Sequence, residues 1–170
     1  MTVSRLLAHA ALIDGKYVQA FPEFGPERRG APVTGYTRIS DEPITIHSHI
    51  YNPSVVVIVD PTLIGKIDVT KGLTEGGTIV AHTEKSPEEL RRELKDEKAK
   101  VYTVNAGRIA LEVLGRPIYN TAMLGALIRA APLVSMESLV RVVKERFSGA
   151  VGEKNVAVIK RAYEEVRGVG

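Results

Sequence analysis

Apolar residues recur at helical spacing in the opening TVSRLLAHAALIDG, where Val3, Leu6, Leu7, Ala10 and Ile13 share one face and Gly15 supplies a stop. The segments YVQAF and PVTGYTRIS then alternate apolar and polar residues, which predicts two strands, each exposed on one face. SVVVIVD follows with a run of β-branched residues from Val55 to Val59 and no polar alternation, the pattern of a parallel strand covered on both faces, ending at Asp60 and Pro61. TIVAHT and AKVYTVNA repeat that pattern on either side of SPEELRRELKDE. In this helical stretch Ser86 is placed to cap, Pro87 suits the first helical position, Glu89 completes a capping box, and Glu88 with Arg92 forms an i,i+4 pair. Strand, helix and strand in this order predict a right-handed α/β crossover.

From Ala106 onward the pattern is helical. AGRIALEVLG closes at Gly115, NTAMLGALIRAA closes at Pro132, and SMESLVRVVKERF and EKNVAVIKRAYEEVRG complete the chain. The expectation is one three-layer α/β domain over residues 1–170, with a mostly parallel sheet, an antiparallel edge near the N-terminus and a helical tail from about Ser135. NTAMLGALIRAA is apolar nearly all round, so it is expected to be buried on more than one side, under the tail or against another chain.

The stretch FPEFGPERRGAPV, Phe21 to Val33, departs from core patterning. Pro22, Pro26 and Pro32 fix φ and remove donors while Gly25 and Gly30 permit positive φ, so a shaped loop is expected. It presents Glu23, Glu27, Arg28 and Arg29, and guanidinium forks in a stiff frame suit carboxylate or phosphate groups, although pairing with the loop's own glutamates is the plainer alternative. Asn120 and Thr121 stand where a helix begins after Pro117, either capping its amides or leaving that N-terminus to face a diphosphate or carboxylate from a neighbouring subunit.

His47 and His49, two apart in ITIHSHI, would share a strand face; no third ligand is evident nearby, so surface packing is favoured over a metal site and no metal is assigned. His82 and Asp60 fall at strand C-terminal ends, the usual ligand side of such sheets. NAGR lies between a strand and a helix but offers a single glycine to a phosphate.

Composition narrows the function. The formal charge is +3, from 23 basic and 20 acidic residues that are interspersed, so nucleic-acid affinity is not implied. The chain has no cysteine, which excludes disulfides and thiolate ligation of an iron–sulfur cluster by this polypeptide. No secretory signal or membrane-spanning apolar run is read, giving an expected cytoplasmic location and no membrane partner. A single glutamine, no cysteine and a Glu/Lys-rich surface lean towards a thermophilic source. No Gly-x-Ser-x-Gly, Walker-type or Cys/His pattern occurs, so the residues themselves describe a subunit and not a complete enzyme.

FGPERRGAP, flanked by YVQAF and TGYTRISDEPI, resembles the gamma subunit of pyruvate and related 2-oxoacid:ferredoxin oxidoreductases, and YNPSVVVIVDPTLI, GGTIVAHT, YTVNAGRIALEVLGRPIYNTAMLGAL and a helical tail follow in that family's order. The resemblance covers nearly the whole chain. One departure is that the family's usual first strand and glycine-rich G-x-G-G-Q-G turn are absent ahead of the first helix; a downstream start, loss of the element and trimming all fit, and no phosphate contact of that turn is carried over.

The resemblance implies a complex that converts a 2-oxoacid and coenzyme A to acyl-CoA and carbon dioxide and reduces ferredoxin. Thiamine diphosphate, magnesium and 4Fe–4S clusters would reside mainly on other subunits, this chain binding none alone. Its RRGAP form leans to pyruvate or branched 2-oxoacids. The implied partners are the thiamine-diphosphate-binding and iron–sulfur subunits and, indirectly, ferredoxin; Glu23, Glu27, Arg28 and Arg29 would form a loop at an interface near the shared site. A stand-alone nucleotide- or acyl-carrier-binding module and a purely structural scaffold are the alternatives.

Overall fold

The computed structural model describes residues 2–23 and 32–170. Helix α1 (Thr2–Ile13) ends where Gly15 takes a positive φ of 78°, a turn that a side chain would strain. Strands β1 (Tyr17–Glu23) and β2 (Thr34–Ser40) pair antiparallel with Tyr17 opposite Ser40 and Pro22 opposite Gly35. They form a sheet of their own, packed on α1, where Ser4 and Thr37 hydroxyls meet at 2.6 Å. The antiparallel pair predicted near the N-terminus is therefore present but is not an edge of the main sheet.

That sheet has four strands in the order β3-β4-β5-β6. Strands β3 (Val55–Ile58), β4 (Thr78–His82) and β5 (Lys100–Val104) run parallel, Val55 beside Thr78 and Thr78 beside Lys100. Its antiparallel edge comes instead from the C-terminus, where β6 (Arg167–Val169) lies against β5 with Tyr102 opposite Gly168 and Thr103 opposite Arg167. Residues 41–54 contain no strand, so His47 and His49 lie on connecting chain; His49 packs edge-on to Phe21 at 5.8 Å.

Side chains alternate across β4 and β5 into two cores, because successive residues of a strand face opposite ways. On one face Ile79, Ala81 and Val101 meet Leu90 of α2 (Pro87–Leu94). On the other Val80 and Val104 belong to one core with apolar residues of α1, α3 (Ala106–Leu114), α4 (Asn120–Ala130), α5 (Met136–Arg146) and α6 (Gly149–Glu165), α4 lying against β4 and β5. This is the expected helix–sheet–helix layering. The capping box at Ser86 and Glu89 forms as read, but Arg92 Nε donates to the Glu88 main-chain carbonyl at 3.4 Å and not to its carboxylate.

Helix α4 is buried from Thr121 to Ile128, as its all-round apolar pattern requires, and its cover is the tail helix α6. At Gly125 the two helices approach so closely that an added Cβ would collide with the Ile159 carbonyl. Helix α5 is tied to α1 by Asp14, whose carboxylate accepts from Ser135 N at 2.7 Å, Ser135 Oγ at 2.8 Å and Ser138 Oγ at 2.5 Å. Partial burial pushes the Asp14 carboxyl up, but the hydrogen bonds from Ser138 and Ser135, with Lys16 nearby, hold it below the usual carboxylate range.

Candidate functional site

The parallel strands β3, β4 and β5 all end on one edge of the sheet, which places Asp60, His82 and Asn105 there together with the N-terminus of α3. Asp60 is committed locally: its Oδ1 accepts from Thr62 N at 2.9 Å and Thr62 Oγ1 at 2.7 Å, capping a single 3-10 turn, and those bonds lower its pKa. His82 is 9% exposed and its ring centroid lies 4.6 Å from that of Tyr119. A Cβ on Gly107 would come within 3.3 Å of His82 Cε1 and Nε2 and of the Tyr119 ring, so a bare backbone at this position lets α3 begin directly against the imidazole. Burial lowers the His82 pKa against the opposing pull of the Val104 carbonyl, Asp60 and Glu84, and its Nδ1 has no hydrogen-bond partner among the described residues.

Asn105 caps α3, its Oδ1 accepting from Arg108 N at 3.1 Å, while its Nδ2 donates to Glu84 Oε1 at 3.4 Å. Arg108 reaches Glu165 at 2.6 Å and Glu112 at 3.5 Å, and Arg161 bonds the same two glutamates, joining α3 to α6 by four alternating charges. Hydrogen bonding to Arg161 is the main cause that lowers Glu112 and Glu165, and bonding to Glu165 and then Glu112 raises Arg161. Beside this network lies a cavity of about 270 Å³ whose walls include Glu84, Thr103, Asn105, Arg108, Glu165 and Arg167. Thr103 is 1% exposed and its Oγ1 has no hydrogen-bond partner among the described residues.

The sequence-derived candidates are distributed unevenly about this edge. Glu27, Arg28 and Arg29 lie outside the described residues, and Glu23 is the last residue of β1. Asn120 and Thr121 do open α4, but the capping position belongs to Tyr119, which makes no side-chain cap bond. Thr121 turns inward and donates to Asn155 Oδ1 of α6 at 2.9 Å, a helix-to-helix bond between buried groups. His82 and NAGR do meet at the strand ends. Sequence reading passed over Thr103, Tyr119 and Arg167. The hydroxyl within the apolar strand KVYTV was the available signal for Thr103, whereas Arg167 enters through a strand that the sequence did not reveal.

Among the described residues no group of three or more His, Cys, Asp or Glu side chains is placed to hold a metal ion. No helix among them is long and apolar enough to cross a membrane. The chemistry that this edge offers is hydrogen-bond donation and charge, supplied from strand ends and a helix N-terminus.

Known proteins are similar to this chain in sequence and architecture. The profile of the family described as pyruvate ferredoxin/flavodoxin oxidoreductase matches residues 1–165. The gamma subunit common to the pyruvate and ketoisovalerate oxidoreductases of Thermococcus kodakarensis is 53% identical over 165 residues, covering 97% of this chain and 89% of that one. The PorC subunit of pyruvate synthase from Methanothermobacter marburgensis is 46% identical over 170 residues, covering 100% of this chain and 92% of that one. The crystal structure of the PORC subunit of pyruvate oxidoreductase from Thermotoga maritima superposes with a TM-score of 0.88 at 38% identity, over 99% of this chain and 90% of that one. On these matches, which run almost end to end, the chain belongs to the pyruvate ferredoxin/flavodoxin oxidoreductase family as a gamma-type member.

Proposed function

We propose that this chain is the gamma subunit of a thiamine-diphosphate-dependent 2-oxoacid:ferredoxin oxidoreductase in the cytoplasm. The reaction takes pyruvate or a branched 2-oxoacid with coenzyme A to acyl-CoA and carbon dioxide, passing two electrons to ferredoxin. The observation that carries this reading is the 53% identity to a gamma subunit over 97% of the chain. The substrate pair is supported by the names of such relatives and by the RRGAP form of the arginine loop.

The chain's own residues do not fit the redox group: with no cysteine it has no thiolate to ligate an iron–sulfur cluster, so the clusters belong to other subunits. Thiamine diphosphate, bound elsewhere in the complex, supplies the carbanion chemistry. The contribution of this subunit is enclosure and charge. Glu23, Glu27, Arg28 and Arg29 meet a partner subunit close to the shared site, and the start of α4 at Asn120 and Thr121 lies towards that site. Support comes from guanidinium groups framed by prolines in sequence and from an α4 N-terminus without a side-chain cap.

The test is co-expression with the companion subunits. Changing Arg28 and Arg29 together to alanine is expected to reduce co-purification or 2-oxoacid-dependent ferredoxin reduction at least about tenfold, the scale of losing charge-assisted bonds at an interface. Unchanged assembly and turnover would remove the loop from the site, and failure of the wild-type chain to join any cluster-bearing partner would overturn the subunit reading.

A further inference from the structure

We propose that the cavity at the C-terminal end of β5 binds a single phosphoryl group, received by Thr103 Oγ1, the Arg167 guanidinium and the first amides of α3. This inference goes beyond the subunit's place in the oxidoreductase and does not depend on it.

Thr103 is the first observation. A hydroxyl on a residue 1% exposed, lining a cavity of about 270 Å³ and lacking a partner among the described residues, is a donor held out of water without compensation. Arg167 is the second. Antiparallel pairing sets it directly opposite Thr103, so the two side chains leave the same face of the sheet. Arg167 makes no ion pair among the described residues, whereas Arg108 on the neighbouring wall is engaged by Glu165 at 2.6 Å and Glu112 at 3.5 Å. The third is α3 itself, a nine-residue helix whose cap Asn105 and first-turn Arg108 stand on the cavity wall. Asn105 caps Arg108 N, leaving the amides of Ala106 and Gly107 without an intrahelical acceptor.

A hydroxyl and a guanidinium fork from one face of the sheet, with helix amides beside them, offer several donors to one group, which suits a tetrahedral oxyanion with its several acceptor oxygens. Glu84 and Glu165 on the same walls limit the charge that can enter. They oppose a second phosphate beside the first and offer acceptors to a ligand hydroxyl, so the site takes a monophosphate, either free or carried on a sugar.

Inorganic phosphate titrated calorimetrically into the full 170-residue chain is the direct test. Saturable binding is expected, weakened about tenfold or more by Thr103→Val and by Arg167→Gln and recovered by Thr103→Ser, as expected when a bond to a charged group is lost. Arg167 is exposed, so Arg167→Gln carries the test if Thr103→Val unfolds, with thermal melts checking both. Tighter binding of ribose 5-phosphate than of phosphate supports the site and assigns a sugar carrier; equal binding supports it and assigns free phosphate. No saturable binding, binding that neither variant alters, or equal affinity for acetate overturns the proposal. The readout needs no partner subunit, so a negative result leaves the oxidoreductase reading standing.

Discussion

Individual side chains here are held by short-range chemistry whose loss can be measured. Asp14 joins two helices through three hydrogen bonds from Ser135 and Ser138, and Asp14→Ala should cost about 1–3 kcal/mol in urea unfolding at neutral pH, the usual loss for hydrogen bonds to a charged acceptor. Its folded pKa lies below the ordinary 3.8, so that stabilisation is complete above 3.8 and disappears as pH falls through the folded value. His82 has the same sign for a different reason. Burial keeps it neutral, the unfolded chain takes up a proton first, and stability should begin to fall as pH drops below the ordinary 6.5; His82→Gln should flatten that part of the pH–stability curve. At Gly125 a methyl would strike the Ile159 carbonyl, so Gly125→Ala should destabilise by about 1–3 kcal/mol despite alanine's better helix propensity, which a thermal melt checks. None of these three roles was legible in sequence. The Ser135 pair lies 121 positions from Asp14, and nothing near Gly125 announces a helix crossing.

Elements were legible in proportion to how local their causes are. The capping box at Ser86 sits within four residues, and the helix stop at Gly115, with φ of 73°, needs only its own backbone; both were read correctly. The start of α4 falls at Asn120 as read, but its capping role does not, because the capping position is Tyr119 and Thr121 is drawn inward by Asn155, a partner 34 residues away. Strand β6 was invisible for a related reason. RGV is short and carries a glycine, and it becomes a strand because β5 offers an unpaired edge and the Tyr102 ring covers the face where a Gly168 side chain would clash. Helices α3 and α6 are joined by the ring of Arg108, Glu112, Arg161 and Glu165. Arg161→Gln should lower the melting temperature by a few degrees and molar salt should shrink the difference, because partly exposed ion pairs are screened.

For the whole molecule, the layered α/β architecture followed from apolar runs alternating with an amphipathic helix, whereas the division into two sheets did not. Both YVQAF and PVTGYTRIS read as strands, yet nothing in their alternation says which sheet they join. The difference bears on the gamma-subunit role. Between β1 and β2 the sequence carries Arg28 and Arg29, and the paired strands pack on α1, with Ser4 bonding Thr37 and the Tyr36 carbonyl. Helix α1 is in turn fastened at its far end to α5 by Asp14. A beam clamped at its root delivers torque to the clamp, so force applied to the paired strands by a docking neighbour should travel along α1 and be felt at the Asp14 fastening as faster deuterium uptake by the Ser135 amide.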